Sequence, residues 1–185
     1  GKYSIEGLNN FPKNTKVGIL YLKSAIESKC NKALIYYSTI LMKGEYIERS
    51  LDEARSNLES VPAKKRNAEI ECLLGKIYKK QKEYKKAINF LYLASEKNNA
   101  EANYQLGKMT HLGIGAEKDE KSAQEYLATA KKLGCLKANK YLNEYNSNQI
   151  DIVFMIDGTE TMKSFHDAFR EIFSSTIKKC KSNNK

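Results

Sequence analysis

Residues able to do chemistry are few in this 185-residue chain, and they are scattered. The four cysteines, Cys30, Cys72, Cys135 and Cys180, form no CxxC pair, and only His111 and His166 could add imidazole. Structural zinc needs four clustered ligands, so these residues make a poor zinc site. They read as reduced, mostly buried thiols of a cytosolic protein. No Ser–His–Asp or Cys–His constellation stands at a usable spacing. His111, just before "LGIG", reads as a surface or hydrogen-bonded residue at a helix end. Glu69, Glu71, Glu101 and Asp119 read as solvated helix acids, not as a catalytic pair. The stretch "GIGAEKDEK" lacks both the strand context and the GK[ST] signature of a phosphate loop. One segment stands apart. "IDIVFMIDGTETMKSF", residues 150–165, combines a continuous apolar run with an acidic turn.

The elements that must position these residues are mostly helical. Hydrophobic residues make up 41% of the chain and charged residues 29%, a globular balance. No apolar run approaches the ~18 residues of a membrane span, and the opening "GKYSIEGLNN" has no signal-peptide core. The chain starts at Gly1 and not Met, so it reads as a segment of a longer protein. Its net charge is +10, from 32 Lys and Arg against 22 Asp and Glu. Such a balance favours acidic partners, although lysines interspersed with acids also describe an ordinary solvated surface.

The sequence repeats itself. Ala33 to Ala54 and Ala102 to Ala123 are both 21 residues, and Gly44 falls on Gly113. "GILYLKSAIESKCNKA" (18–33) aligns with "AQEYLATAKKLGCLKA" (123–138), which sets Cys30 on Cys135. Residues 68–99 carry a tighter copy: Leu74 to Ala87 is 13 residues, against 17 from Leu106 to Ala123. A further start appears at "KANKYLNEY". Gly75, Gly107, Ala87 and Ala123 sit where two helices would cross closely, with Leu and Tyr at helical spacing filling the remaining volume. One such hairpin cannot bury its apolar face alone, whereas stacked neighbours can. The pattern predicts helices over 3–9, 14–29, 31–43, 50–60, 65–80, 83–97, 99–112, 119–133 and 136–147. Asn14 and Asp119 are expected N-caps, Pro62 a loop residue, and Gly44 and Gly113 turn residues.

"LGKMTHLGIGAEKDEKSAQEYLATAKKLGCLKA" closely resembles the Sel1-like repeat, a cousin of the tetratricopeptide repeat. "FPKNTKVGILYLKSAIESKCNKA" is similar to the second half of that motif, and residues 68–99 look closer to a plain tetratricopeptide unit. The resemblance covers residues 3–147 and departs at Ser38 and Asn143, which replace the crossing glycine. It implies an all-α fold over 1–147, a right-handed superhelical solenoid of helix hairpins. It also implies protein binding on a concave face lined by the first helix of each pair. Carried onto this sequence, that face comprises Lys32, Ile35 and Thr39, then Cys72, Lys76 and Lys79, then Tyr104, Lys108 and His111, then Lys137 and Lys140. A basic row with interleaved aromatics suits an acidic extended peptide or a C-terminal carboxylate. The plain alternative is that these lysines keep the wall soluble. Nucleic-acid phosphates are the weaker reading, since there is no nucleic-acid motif and little Arg.

Residues 148–185 change character. "IDIVFMI" suits a strand buried on both faces, "DG" a sharp turn, and "TMKSFHDAFREIFSSTIKKC" an amphipathic helix. Strand, acidic loop and helix make the first half of a βαβ unit. "DGTET" resembles the metal loop of von Willebrand factor A domains, the metal-ion-dependent adhesion site. The resemblance implies that Asp157, Thr159 and Thr161 offer oxygens to a divalent cation such as Mg²⁺, as an incomplete site. The fragment reads as the opening of an α/β domain, with a boundary near Ser147–Gln149. A lone parallel-type strand leaves both edges unpaired, so pairing with a second chain into a homodimer is an expectation.

The function expected from these readings is a non-enzymatic, cytoplasmic adaptor with protein partners, without a bound cofactor of its own. The alternatives are a regulatory segment of a larger signalling enzyme, such as an atypical protein kinase, or an electrostatic binder of nucleic acid or another polyanion.

Overall fold

The computed structural model describes residues 1–7 and 13–143. The chain divides into two compact units, Gly1–Leu142 and Asn143–Lys185. The strand, the Asp157 loop and the helix expected over 148–185 lie outside the described residues, as does the expected boundary near Ser147.

The first unit is a run of antiparallel helices: α1 (Lys2–Glu6), α2 (Thr15–Glu27), α3 (Asn31–Lys43), α4 (Leu51–Glu59), α5 (Ala68–Lys80), α6 (Tyr84–Glu96), α7 (Ala100–Leu112) and α8 (Glu120–Lys132). A further helical segment occupies 136–143. Caps set the boundaries. Asn14, Ser50, Asn67, Asn99 and Asp119 each accept a hydrogen bond from a first-turn N–H. At the other ends Gly44 and Gly113 adopt φ of 73° and 64°, the left-handed geometry that closes α3 and α7.

Two expected bounds shift by three residues. α1 stops at Glu6, because Gly7 turns left-handed with φ 71°. α5 starts at Ala68 and not at 65. A short 3-10 turn (Ala63–Lys65) intervenes, and Asn67 supplies the cap. Arg66 is held before that cap by donating to the carbonyls of Val61 and Glu59.

Packing follows the repeat. α1–α2, α3–α4, α5–α6 and α7–α8 pair closely, and each pair rests on the next. The first helices of the pairs also touch one another, α3 on α5 and α5 on α7, forming a continuous row. The crossings use the small residues that the sequence singled out. Ala54, Ala87, Ala123 and Gly18 are buried on the second helices, and Ser38, Gly75 and Gly107 on the first; Gly75 stands against Leu91, Gly107 against Leu127 and the Ala123 carbonyl, and Gly18 against Ile5 of α1. A β-carbon on Gly107 would come within 2.7 Å of Leu127 and 3.0 Å of the Ala123 carbonyl, so only glycine permits this approach. One apolar core runs from Ile5 to Met109, and a smaller one joins Leu127, Ala130 and Ala138. Phenols fasten the stack. Tyr36 of α3 donates to Glu6 beyond its own hairpin at 2.7 Å, and Tyr78 of α5 donates to Glu59. Burial first, then these carboxylates, raise both phenols, Tyr78 to about 12.

Candidate functional site

The row of first helices gathers part of the expected basic face. Lys79 of α5 donates to Gln105 of α7 at 2.8 Å. Gln105 in turn donates to Glu101 at 2.9 Å. Glu101 lies 3.7 Å from Lys76 of α5 and 3.5 Å from Lys137. One carboxylate thus serves cations from two other helical segments, α5 and 136–143. It is outnumbered: the Lys79 ammonium is held below the ordinary lysine range by burial first, then by Lys108 and Lys76, with Glu101 alone opposing. Three lysines sharing one acid make a local excess of positive charge.

Aromatic rings flank this cluster. Tyr104 meets Tyr141 edge-on at 6.2 Å, and His111 meets the same ring at 5.9 Å. The Lys108 ammonium stands 5.8 Å from that ring's centroid. His111 Nδ1 lies 2.9 Å from Glu120 of α8, so this histidine ties α7 to α8 at its helix end.

The other expected residues fall differently. Lys32 is exposed. Ile35 packs against the core, and Thr39 spends its hydroxyl on the Ile35 carbonyl at 2.8 Å. Cys72 is buried, and burial pushes its thiol up to about 12, so it takes no part in a surface site. Lys140 is exposed on the closing segment. Sequence reasoning missed Glu101 and Gln105 as members of the cluster. Their signal was the spacing Glu101, Gln105, Lys108, one stripe of α7.

Two other sequence readings need correction. Glu71 is not a solvated acid: it is 2% exposed, with Lys97 3.8 Å away and one oxygen without a hydrogen-bond partner. Desolvation raises its pKa, against the pull of Lys97 and Arg66. Cys30 is not a buried thiol. It is exposed, at the N-cap of α3. Among the described residues no group of three or more His, Cys, Asp or Glu is placed to hold a metal ion. Asp157, Thr159 and Thr161 lie outside those residues. No helix among the described residues is long and apolar enough to cross a membrane.

Helical hairpins stacked in register, with one helix of each pair forming a continuous row, define an α-solenoid. The fold is that of solved Sel1-repeat proteins. The Sel1 repeat protein from Oxalobacter formigenes superposes with a TM-score of 0.67 over 77% of this chain and 59% of its own, at 20% identity. A protective antigen of uropathogenic Escherichia coli strains, c5321, which displays an SLR fold, matches with a TM-score of 0.62. That match covers 70% of this chain and 28% of the antigen, at 24% identity. The chain therefore spans less than two thirds of either structure. No protein-family model matches the sequence, and no curated protein matches it.

Proposed function

We propose that the solenoid is a non-enzymatic scaffold that binds acidic, extended segments of partner proteins along the row α3, α5, α7 and 136–143. The observation that carries this reading is that Lys76 and Lys137 share the single carboxylate of Glu101, with Lys79 joined to it through Gln105 and Lys108 near Lys79. A carboxylate from a partner would relieve the mutual repulsion of the lysines and gain charge-assisted hydrogen bonds. Tyr104 and Tyr141 beside it offer flat apolar contact area for the residues that flank such an acid. Lys32 and Lys140 would extend the positive field along the row, whereas Ile35 and Thr39 support it through packing.

The test is the double substitution Lys76→Glu with Lys108→Glu, read by titrating a fluorescent acidic peptide. Binding should fall by about tenfold or more, as expected when interfacial charges are inverted. Unchanged affinity removes the reading. A salt series on the parent separates a peptide from a polyanion: duplex DNA or RNA bound more tightly than the peptide, with a steep salt slope, would favour the electrostatic alternative.

The loop at Asp157, Thr159 and Thr161 is proposed, on sequence pattern alone, as oxygen donors for Mg²⁺ in an A-type domain. The adaptor or regulatory role within a larger protein is proposed on the same basis.

A further inference from the structure

Equivalent turns of a repeat can close in different ways, and here two of them do. The loop between α4 and α5, residues 60–67, is tied to the α6–α7 turn by Lys97, which donates to the Arg66 carbonyl at 2.7 Å. Arg66 also covers the Phe90 ring of α6, its guanidinium carbon 5.9 Å from the centroid. Among the described residues the α2–α3 turn sends no such bond to this loop. Its counterpart of Lys97 is Ser28, which spends its hydroxyl on the Ser24 carbonyl at 3.1 Å. Ser95 and Asn103 hydrogen-bond to each other at 2.9 Å; their counterparts here are Ile26 and Leu34. A polar clasp at one turn is thus an apolar pair at the other.

A cavity of about 560 Å³ remains between the α2–α3 turn and the loop, within the range that holds small organic ligands. Ile26, Leu34, Val61 and Pro62 give it apolar walls, and Lys29 and Lys65 give it charge. No acid among the described residues lines it. Neither lysine enters an ion pair among those residues. Cys30, also on its wall, leaves α3 without a side-chain cap, and the first turn of α3 holds no acid. The helix dipole therefore adds to the positive field of the lysines. Unanswered positive charge beside apolar walls selects a ligand that has both an apolar and an anionic part.

We propose that this cavity binds a small amphiphilic carboxylate, its apolar body against Ile26, Leu34, Val61 and Pro62 and its head held by Lys29 and Lys65. All of its walls belong to α2, α3 and the 60–67 loop. The site lies off the cluster around Glu101, so it stands independently of the groove proposed above.

The test uses the full chain and decanoate below its micelle concentration, titrated by calorimetry. The disrupting variant is Lys29→Asn with Lys65→Ser. Lys29 and Asn98 hold the same left-handed position of their turns, φ 60° and 57°, so asparagine is at home there and melting should be retained. The parent is expected to bind decanoate saturably. The variant should bind about tenfold more weakly, and decanol should bind the parent more weakly by a similar factor. The exposed Cys30 thiol supplies a second readout. Its alkylation by iodoacetamide, followed by peptide mass spectrometry, should slow with bound decanoate, while that of Cys135 should not change. Lys76→Glu with Lys108→Glu should leave decanoate binding intact. Absence of saturable binding, equal binding by the variant or of decanol, or unslowed alkylation of Cys30 overturns the proposal. So does displacement of decanoate by the acidic peptide, which would make the cavity part of a protein-binding surface.

Discussion

Leu91 of α6 occupies the space that a β-carbon on Gly75 of α5 would need: an added Cβ would stand 2.6 Å from the Leu91 Cγ. Leu91 is fully buried and cannot swing aside. Alanine at a helix-interior glycine normally helps by about 1 kcal/mol, but overpacking a closed core costs about 1–3 kcal/mol. Gly75→Ala should therefore destabilise the chain by up to about 2 kcal/mol, seen as a lower urea midpoint with unchanged slope. A rise in stability would show that the crossing has slack.

Cys30 and Asn99 hold nearly the same backbone, φ −79° and ψ 102° against φ −79° and ψ 115°, each at the N-cap of a first helix. Asn99 accepts from the Ala102 N–H at 2.9 Å, whereas Cys30 makes no side-chain cap bond. Cys30→Asn should add the missing bond and stabilise the chain by about 1 kcal/mol. Thermal melting of the two proteins checks it.

Ser38 stands where the next two repeats have Gly75 and Gly107, fully buried, with an Oγ that finds no hydrogen-bond partner. Removing an unsatisfied buried hydroxyl while improving helix propensity should gain about 1 kcal/mol. Ser38→Ala is thus expected to unfold at higher denaturant. Destabilisation would mean that the hydroxyl has a partner after all.

Glu71 makes stability depend on pH. Its folded pKa lies above the ordinary 4.5, so the folded chain holds a proton that the unfolded chain has already released. The contribution is present below the unfolded pKa and is lost as pH rises through the folded one. Glu71→Gln cannot lose that proton. Its advantage over the parent should be near zero at pH 4 and grow towards pH 8, measured by chemical denaturation at each pH. A constant difference would place the ionised carboxylate in a compensated environment.

The repeat was legible because small residues recur at the helix crossings, and Gly75, Gly107, Ala87 and Ala123 perform the role their spacing implied. Asn14 and Asp119 were readable as caps because each stands just before a periodic run. Burial of individual polar residues was not legible. Glu69 and Glu71 are two residues apart in one acidic helix start, yet one is exposed and the other enclosed. Helical periodicity distinguishes their faces only once the neighbouring helix and Lys97 are placed. The lysines of the row were readable one by one from the register. The Lys79–Gln105–Glu101 relay was not, because it joins two helices whose relative rotation the periodicity leaves open.

The division of the core between Ile5–Met109 and the small group around Leu127, Ala130 and Ala138 bears on how the stack comes apart. Each hairpin leans chiefly on its immediate neighbours, so opening can begin at an end without passing through the middle. Amide protons of α5 and α6, clasped from both sides, should be the slowest to exchange, and those of α8 should escape sooner. The molecule would then fray as a rope does, end strands first.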